Sequence, residues 1–470
     1  MWRSRYYLLK KDFDAWAYNI FWPQEKSFLP LLGFASLTVE DIKFAYNAWC
    51  LLRLAMFYGC EHPKVLSSLV NTTPSMNIAF GGNRVFYMHA EVAARLSQKK
   101  IKVALTPSHP QAQPLQNFPW QQVIYAAQGG RKEIEQYNNS GVEIVLGMEN
   151  GLSESIIEQC DYCVYIPQYG SIGSLSMLSA MAIVVHSAHS AQHVDSTNMA
   201  QSLFSKTSQG HMPLSNGIGK ENEGKQLPHE KDLICFSNDK IVKILEARRF
   251  SYKMQLSLMI YNEFGDRNIG AIMRNANAFN CEKMIVLNRK KFSRRGAVGT
   301  QHLLQTLFYE GVGDADCCKD LDGYIIWVLY QYYPYLKIHN APTNNKESTF
   351  IRPENTHLQK WLKNHHCVHK EHPMLDSGDI EHLIGSEVYL DDSTSLYNAV
   401  NNALNAGYRG IMLAVPEEGV SPHPEILKKA QRVVYMIHPN HLTHEVQRGL
   451  NGALSSAVAL ERIRTAIDNL

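Results

Sequence analysis

The feature that most constrains the fold of this 470-residue chain is an internal repeat. Residues 47–60 (NAWCLLRLAMFYGC) align with residues 268–281 (NIGAIMRNANAFNC), and in both copies an arginine follows an asparagine by six positions (47 to 53 and 268 to 274). Further on, residues 146–154 align with 414–422, and residues 173–183 align with 448–458. Three matched segments in the same order predict a duplicated unit and therefore two similar domains.

Each copy alternates apolar strand-like runs with helical segments, which predicts an α/β fold with a mostly parallel sheet. Val142–Leu146, Tyr162–Ile166 and Tyr324–Tyr330 are the clearest predicted strands. Residues 12–40 are rich in aromatic residues and contain two prolines, which predicts an irregular cover. The predicted organisation is an N-terminal extension (1–40), a first domain (41–195), a linker (196–240) and a second domain (241–470) with an insertion at about 331–385.

Composition excludes several classes of protein. No run reaches the ~20 apolar residues of a membrane span, so no membrane association is predicted. The net charge of +2 means that any contact with nucleic acid has to come from local basic patches. Nine thinly spread cysteines favour a reducing, intracellular compartment over a disulfide framework. The first eleven residues carry four basic residues and no acidic one, so a mitochondrial location is predicted ahead of a cytoplasmic one.

Glycines cluster at two predicted strand ends between residues 146 and 180. Loops at the carboxyl ends of strands are the usual ligand sites of α/β sheets, and glycine lets the main chain approach a ligand closely. From the residues alone this stretch is either a main-chain binding site for a polar small molecule or an ordinary strand-turn-helix unit.

The repeated motifs resemble those of the SpoU/TrmH-type 2′-O-ribose methyltransferases of the SPOUT superfamily. Asn268, Gly270 and Arg274 match that family's N-x-G-x-x-x-R motif fully. Residues 146–152 look like its L-G-x-E-x-x-G-L motif, with the second glycine one place early. Its I-P-x-x-G-x-x-x-S-L-N motif matches residues 166–176, with serine in place of the final asparagine.

The resemblance implies two tandem SPOUT domains in one chain, each an α/β domain with a trefoil-knotted, mostly parallel sheet. It also implies S-adenosylmethionine as cofactor and a normally dimeric enzyme, here an intrachain pseudo-dimer. Main-chain contacts to the cofactor are expected at Gly147, Ile166 and Leu175. The full predicted cofactor set is Gly147, Glu149, Gly151, Ile166, Pro167, Gly170, Ser174, Leu175 and Ser176.

The two halves depart from the family pattern in opposite places. In the first half, Trp49 stands where the substrate motif expects glycine. In the second half, Val415 stands where Gly147 stands, and His441–Leu442 replace the Ile-Pro pair in the register that aligns Leu450 with Leu175. A β-branched side chain at the close-approach position should exclude the adenosine. One cofactor site is therefore predicted, in the first half.

The resulting hypothesis is one composite active site across the two halves. Asn268 and Arg274 would handle the ribose, with Arg53 as the candidate from the first half itself. The predicted RNA contacts, which a solvated basic loop would explain equally well, are Arg289, Lys290, Lys291, Arg294 and Arg295. Ribosomal RNA is the favoured partner, transfer RNA the second, and a ribosomal assembly intermediate is a further candidate. The alternative is an inactive pseudo-dimer that serves as an RNA-binding scaffold or ribosome assembly factor.

Other chemical signals are weaker. Cys160 and Cys163 form a lone C-x-x-C pair on a predicted strand, which favours buried structural cysteines. A histidine-rich run in the insertion (His365, His366, Cys367, His369 and His372) fits no standard metal spacing, and no metal site is predicted. His186, His189 and His193 share one helical face, which predicts a surface between domains.

Overall fold

The computed structural model shows two α/β sheets joined through packed helices. It describes residues 35–42, 45–61, 63–66, 78–80, 83–88, 100–107, 109–127, 141–147, 151–171, 175–193, 233, 236–261, 267–292, 296–330, 381–383, 385–416, 422–438, 441 and 450–470. The predicted N-terminal cover before residue 35, most of the linker and nearly all of the insertion lie outside these residues.

The first half contains an eight-stranded sheet among the described residues, in the order β3-β4-β2-β1-β7-β5-β8-β6. Only β3 is antiparallel to its neighbour; the other pairs are parallel. The strands are β1 (Ala35–Glu40), β2 (Lys64–Leu66), β3 (Ile78–Phe80), β4 (Asn83–Met88), β5 (Ile101–Leu105), β6 (Gln113–Pro114), β7 (Val142–Leu146) and β8 (Tyr162–Tyr165). The helices are α1 (Ala45–Tyr58), α2 (Trp120–Ala127), α3 (Glu154–Ile157) and α4 (Met177–Gln192), and Leu115–Asn117 form a 3₁₀ turn.

The second half contains a seven-stranded, fully parallel sheet in the order β11-β10-β9-β14-β12-β15-β13, again among the described residues. The strands are β9 (Gln255–Tyr261), β10 (Lys283–Leu287), β11 (Gln305–Tyr309), β12 (Tyr324–Tyr330), β13 (Glu387–Tyr389), β14 (Gly410–Val415) and β15 (Arg432–Tyr435). The helices are α5 (Asn238–Phe250), α6 (Arg267–Ala278), α7 (Ala315–Leu321), α8 (Ser393–Asn405), α9 (Pro424–Lys429) and α10 (Gly452–Asp468), with 3₁₀ turns at Thr300–His302 and Glu381–Leu383.

The two sheets share one topology. Among the described residues, and with the antiparallel β3 set aside, each half has seven parallel strands. When the strands of each half are numbered in chain order, both sheets have the order third, second, first, sixth, fourth, seventh, fifth. Central strands such as β7, β12 and β14 are buried along their whole length, as expected for parallel strands covered on both faces. The predicted α/β fold with two parallel sheets in one chain is confirmed. The trefoil knot stays a prediction.

Helices α4 and α10 hold the halves together. They pack against each other, and α10 also packs against α6 of its own half. Almost every residue of α10 is buried, including Ser455 and Ser456 at 0% exposure. Small side chains allow two helices to approach closely, so this pair forms the centre of a broad interface between the halves.

The predicted domain boundary at residue 40 is wrong for residues 35–40. They form β1, which lies between β2 and β7 near the middle of the first sheet. The strand was not predicted because β1 contains two polar residues, Ser36 and Thr38. Both are nevertheless buried, and the Thr38 hydroxyl donates to the buried carboxylate of Glu143 at 2.5 Å. Lys64 lies 3.4 Å from the same carboxylate oxygen and balances its charge.

Every helix in the described part of the chain falls short of the length and apolar character that crossing a bilayer requires.

Candidate functional site

The first wall of the predicted cofactor site is the loop that follows β7. Gly147 is buried, and an ideal Cβ placed on it would lie 2.1 Å from the carbonyl oxygen of Gly151. Gly151 has a φ of 84°, a conformation that glycine adopts without strain. The main chain at Gly147 therefore lies directly against that of Gly151, and this contact needs glycine at both positions. Ser153, just after the loop, donates its N–H to the Glu40 carboxylate at 2.7 Å.

The second wall is the loop between β8 and α4. The side chains of Ile166 and Leu175 are buried, and Pro167 is half-buried. Ser176 is the N-cap of α4, and its hydroxyl accepts the N–H of Ser179 at 3.1 Å. The helix thus begins at Met177.

The second half fixes this loop through main-chain hydrogen bonds. The N–H groups of Tyr169 and Gly170 both donate to the carbonyl oxygen of Ala278, at 2.8 and 3.2 Å. Ser171 donates its hydroxyl to the Asn277 side-chain oxygen at 3.0 Å. A Cβ on Gly170 would lie 1.8 Å from the Asn277 carbonyl oxygen. Gly170 therefore allows close approach of the two halves, at the carboxyl end of α6.

Arg274 reaches the same loop from the second half. Its guanidinium donates to the carbonyl oxygen of Leu175 at 3.2 Å. Asn268 lies half-buried in the first turn of the same helix, α6, one and a half turns before Arg274. Arg53 lies half-buried on α1 of the first half. The structure thus brings Arg274 to the predicted cofactor loop, across the interface.

A cluster of aromatic and charged residues from the second half surrounds Tyr169 of this loop. The Tyr169 ring lies edge-on to Tyr252, with ring centroids 6.4 Å apart, and the buried Arg464 guanidinium lies 4.1 Å from the Tyr252 ring. Arg248 donates to the Tyr169 carbonyl oxygen at 3.4 Å. Burial raises the pKa of Tyr169, and its hydrogen bond with Asp468 raises it further. Burial also raises the pKa of the Asp468 carboxyl.

Three of the predicted RNA-binding residues are described. Lys290 and Lys291 are exposed and Arg289 is half-buried, all in the loop after β10. Several other predicted residues lie outside the described part of the chain: Glu149, Ser174, Arg294, Arg295, the side chain of Trp49, and the histidine-rich run at 365–372.

The corresponding position of the second half is filled. A Cβ on Gly452 would lie 3.6 Å from Cγ1 of Val415 and 3.5 Å from the Pro416 carbonyl oxygen. Val415 itself is buried at the end of β14. The valine side chain therefore occupies space between the strand end and α10 that a glycine would leave open.

The predicted pairing of His441–Leu442 with Ile166–Pro167 is wrong. Strand β8 ends at Tyr165, ten residues before Leu175, whereas β15 ends at Tyr435, fifteen residues before Leu450. The second loop is five residues longer, so the residues that directly follow its strand begin at Met436. His441 belongs to the added length, where its Nδ1 lies 2.6 Å from the Asp391 carboxylate.

The segment that carries the candidate site matches a known protein family. Residues 38–186, about a third of the chain, match the model of the SpoU rRNA Methylase family. The resemblance to the SpoU family is confirmed. The SpoU-like segment contains both walls of the candidate site, from the loop after β7 to the start of α4. Comparison with curated protein sequences gives no match.

Three solved structures are among those to which the chain is similar. A probable methyltransferase from Bordetella pertussis Tohama I is 8% identical, with 46% of this chain and 97% of that chain covered and a TM-score of 0.28. The SpoU methyltransferase AviRb from Streptomyces viridochromogenes, in complex with AdoMet, is 16% identical over 35% of this chain and 61% of its own, with a TM-score of 0.25. A TrmH/SpoU tRNA modifying enzyme from A. aeolicus is 14% identical over 43% and 89%, with a TM-score of 0.26.

Sequence reasoning missed the residues that clamp the loop. Asn277, Ala278 and Arg248 contact it chiefly through its main chain, and no motif marks such contacts. The available signal was the alternation of Asn275 and Asn277 with alanine at the carboxyl end of α6. Asn275 donates to the Ala453 carbonyl oxygen at 2.7 Å and so faces α10, whereas Asn277 faces the SpoU-like segment.

The lone C-x-x-C pair is structural, as predicted. Cys160 and Cys163 are buried and free, and the Cys160 thiol lies 3.3 Å from the Ile156 carbonyl oxygen. Burial raises the pKa of Cys160 to about 12 and that of Cys163 to about 11. Both thiols therefore stay protonated near neutral pH, and a protonated thiol is a poor nucleophile and metal ligand.

Proposed function

We propose that this chain is an S-adenosylmethionine-dependent RNA 2′-O-ribose methyltransferase with one composite site across its two halves. The observation that carries the proposal is the hydrogen bond from Arg274 of the second half to the Leu175 carbonyl oxygen in the SpoU-like segment. Arginine from the fully matching substrate motif thereby meets the nearly intact cofactor motifs of the other half. Ribosomal RNA is the proposed substrate class, in keeping with the description of the matching family.

The residues at the site fit this cofactor. Gly147, Gly151, Ile166 and Leu175 offer main-chain groups, and the buried side chains of Ile166 and Leu175, 4% and 7% exposed, make their surroundings apolar. Such a mixture suits a nucleoside with a polar ribose and a flat base. Glu149 and Ser174 complete the proposed set together with Pro167, Gly170 and Ser176. When bound, S-adenosylmethionine supplies an electrophilic methyl group on a sulfonium sulfur.

In the proposed reaction the ribose 2′-oxygen attacks that methyl carbon in line. A C–O bond forms, the S–CH₃ bond breaks, and the hydroxyl proton leaves to a base or to solvent. Arginine keeps its proton under all ordinary conditions, so Arg274 is poorly suited to act as that base. Its fixed, planar charge suits the adjacent phosphate and aligns the ribose, while Asn268 supplies a neutral hydrogen-bonding amide nearby.

We further propose that the halves arose by tandem duplication and that only the first retains a cofactor site. The identical order of the seven parallel strands supports the duplication. The valine side chain between β14 and α10 supports the loss of the second site. The five added residues after β15 support it too, because they change the loop that corresponds to Ile166–Leu175.

The test compares Arg274→Ala with Arg53→Ala in the full chain. We expect calorimetry to show one molecule of S-adenosylmethionine per wild-type chain. Transfer of a labelled methyl group to total RNA should fall at least 100-fold in Arg274→Ala and far less in Arg53→Ala. Arg274→Lys should recover little, since lysine lacks the planar fork.

The reverse ranking of the two arginines would assign catalysis to the first half alone. If the wild-type chain binds no S-adenosylmethionine, the proposed methyltransferase activity is contradicted and the alternative, an inactive RNA-binding scaffold, remains.

A further inference from the structure

Two phenylalanine rings lie together at the outer edge of the second sheet. Phe308 on β11 is 39% exposed, and Phe292, in the loop after β10, is half-buried beside it. Their ring centroids are 6.0 Å apart and their planes are inclined by 34°. Strand β11 is the last strand on this side of the sheet among the described residues. Phe292 also packs against the hydrophobic core, and Phe308 presents the accessible aromatic surface.

The backbone builds this surface by a tight turn. Asn288 follows β10 with a φ of 58°, and its N–H donates to the Tyr309 carbonyl oxygen at 2.9 Å, which ties the turn to the end of β11. The chain then runs back beside β11 until Phe292 meets Phe308. Asparagine tolerates the left-handed conformation better than most residues, so this turn is locally encoded.

The charge around the rings is mainly positive. Residues 288–292 and 305–310 together contain three basic residues (Arg289, Lys290 and Lys291) and one acidic residue, Glu310. Both lysines are exposed. The nearby Asp320 carboxylate already accepts from Lys283 at 2.8 Å and from the Tyr309 hydroxyl, on the opposite face of β11 from Phe308.

We propose that Phe308 and Phe292 form a stacking platform for an unpaired base of the RNA strand, with Lys290 and Lys291 on its phosphates. An exposed aromatic ring stacks on any base, and adjacent lysines supply the attraction for the backbone. This inference rests on the proposed function, because it names how the same site engages its RNA. It commits to single-stranded RNA, since an aromatic pair flanked by lysines fits bases and phosphates together.

The platform lies at the carboxyl ends of the strands of the second sheet, the end at which α6 begins with Asn268. Strands β9, β10 and β11 are parallel neighbours, and their last residues, Tyr261, Leu287 and Tyr309, are in register. Helix α6, with Asn268 and Arg274, follows β9. Two strand spacings separate β9 from β11, about 10 Å. A strand of RNA that enters the composite site would therefore pass the two rings with a nucleotide that flanks the target.

The test measures binding of a fluorescein-labelled, unstructured uridine-rich RNA to the full chain by anisotropy. We expect Phe308→Ala to weaken binding roughly 5- to 100-fold, which is the range for loss of one stacked base, and Phe308→Trp to restore it. Phe250→Ala is the matched control, since Phe250 is 88% exposed on α5, away from the platform. Thermal melting of each variant checks that the exposed substitution leaves the fold intact.

Salt dependence separates stacking from charge. Lys290→Ala and Lys291→Ala should each lower the slope of log affinity against log salt by about 0.7, the value for one phosphate contact to a single strand, whereas Phe308→Ala should leave the slope unchanged. Equal affinity of Phe308→Ala and Phe250→Ala would overturn the platform, as would a wild-type chain that binds no RNA and instead captures a protein through this surface.

Calorimetry with S-adenosylmethionine distinguishes this failure from that of the proposed function. If the chain binds and methylates RNA and Phe308→Ala has no effect, only the platform proposal is contradicted. If the chain binds RNA through Phe308 but binds no S-adenosylmethionine, the platform proposal stands and the proposed methyltransferase activity is contradicted.

Discussion

Gly147 and Gly170 occupy similar places in the sequence motifs, but each glycine avoids a clash with a different part of the chain. A side chain at Gly147 would strike the main chain of its own loop, at Gly151. A side chain at Gly170 would strike the main chain of the other half, at Asn277. The sequence predicts that both positions need glycine for close approach. The neighbour of Gly170 depends on the docking of two segments more than 100 residues apart in the chain, which no local pattern encodes.

Gly170→Ala should therefore weaken the contact between the halves. The new Cβ would lie 1.8 Å from a backbone oxygen, so the loop or α6 has to shift, at a cost of about 2 kcal/mol or more in the free energy of unfolding. Denaturant unfolding measures this loss. Affinity for S-adenosylmethionine should fall with it, because the displaced loop carries Ile166 and Leu175.

Gly313→Ala is the matched control. A Cβ at Gly313 meets no atom within 4 Å, and alanine there should be neutral or slightly stabilising. If Gly170→Ala unfolds at the same denaturant concentration as Gly313→Ala, the close approach of the two halves at Gly170 is not required.

At the scale of elements, the sequence predicts most strands and helices but not the joints between them. Strands β7 and β12 lie where the apolar runs place them, because continuous apolar segments are buried whatever surrounds them. The errors have physical causes. Polar residues hid β1 because their partner, Glu143, lies 105 residues from Thr38. The extra length of the loop after β15 was not predicted, because an alignment of the two halves without a gap assumes loops of equal length.

The helix caps show what a motif substitution preserves. Ser176 stands where the family motif has asparagine, and its hydroxyl caps α4. Asn451 stands at the equivalent place in the second half, and its side chain caps α10 through the N–H of Leu454 at 2.9 Å. Serine and asparagine are comparable N-caps. The substitution at Ser176 therefore keeps the structural part of the motif.

Ser176→Ala should lower the free energy of unfolding by about 1 kcal/mol, because one N–H at the start of α4 loses its partner. Ser176→Asn should keep nearly full stability. Ser237 is the matched control: it is the N-cap of α5, but its side chain makes no capping hydrogen bond. Chemical unfolding of the three variants should separate Ser176→Ala from the other two, and an equal loss in Ser237→Ala would argue against the cap.

At the scale of the whole molecule, the pseudo-symmetric interface has two unlike corners. With Ser176 aligned to Asn451, His189 takes the place of Arg464 and His193 that of Asp468. One corner therefore holds a buried arginine and a carboxylate around Tyr169. The other corner holds histidines from both halves.

The histidine corner is closely packed. The His193 and His441 rings stack with centroids 4.4 Å apart and planes within 5°. The Tyr58 hydroxyl lies 3.1 Å from Nδ1 of His186, and the Asp391 carboxylate accepts the N–H of His438 at 2.9 Å. These contacts confirm the prediction that the histidine face of α4 lies between the two halves.

Burial makes this corner sensitive to acid. It lowers the pKa of His186 well below its usual value, and the charges of Arg462 and His189 lower it further. The pKa values of His193 and His438 are also lowered, by burial first and by His441 second, against an opposing effect of Asp391. These three histidines therefore stay neutral in the folded chain at a pH at which the unfolded chain binds protons.

Stability should consequently fall as the pH drops below about 6.5, the ordinary pKa of histidine. In that range the unfolded chain holds more protons, so the free energy of unfolding rises with pH, by about 1.4 kcal/mol per pH unit for a fully buried group such as His186. Glu461 and Asp468, whose pKa values are raised by burial, act in the opposite sense at lower pH. Denaturant unfolding at pH 7.5, 6.5 and 5.5 measures the slope.

His186→Gln isolates the histidine contribution, because both carboxyl groups of the arginine corner remain in the variant. The difference between the wild-type and variant slopes should appear between pH 6.5 and 5.5 and vanish above pH 7. A matched substitution at the other corner, Thr465→Val, removes the hydroxyl that contacts the Glu461 carboxylate at 3.1 Å and should leave this part of the profile unchanged. Identical slopes for His186→Gln and the wild type would show that His186 binds its proton as readily in the folded chain as in the unfolded one.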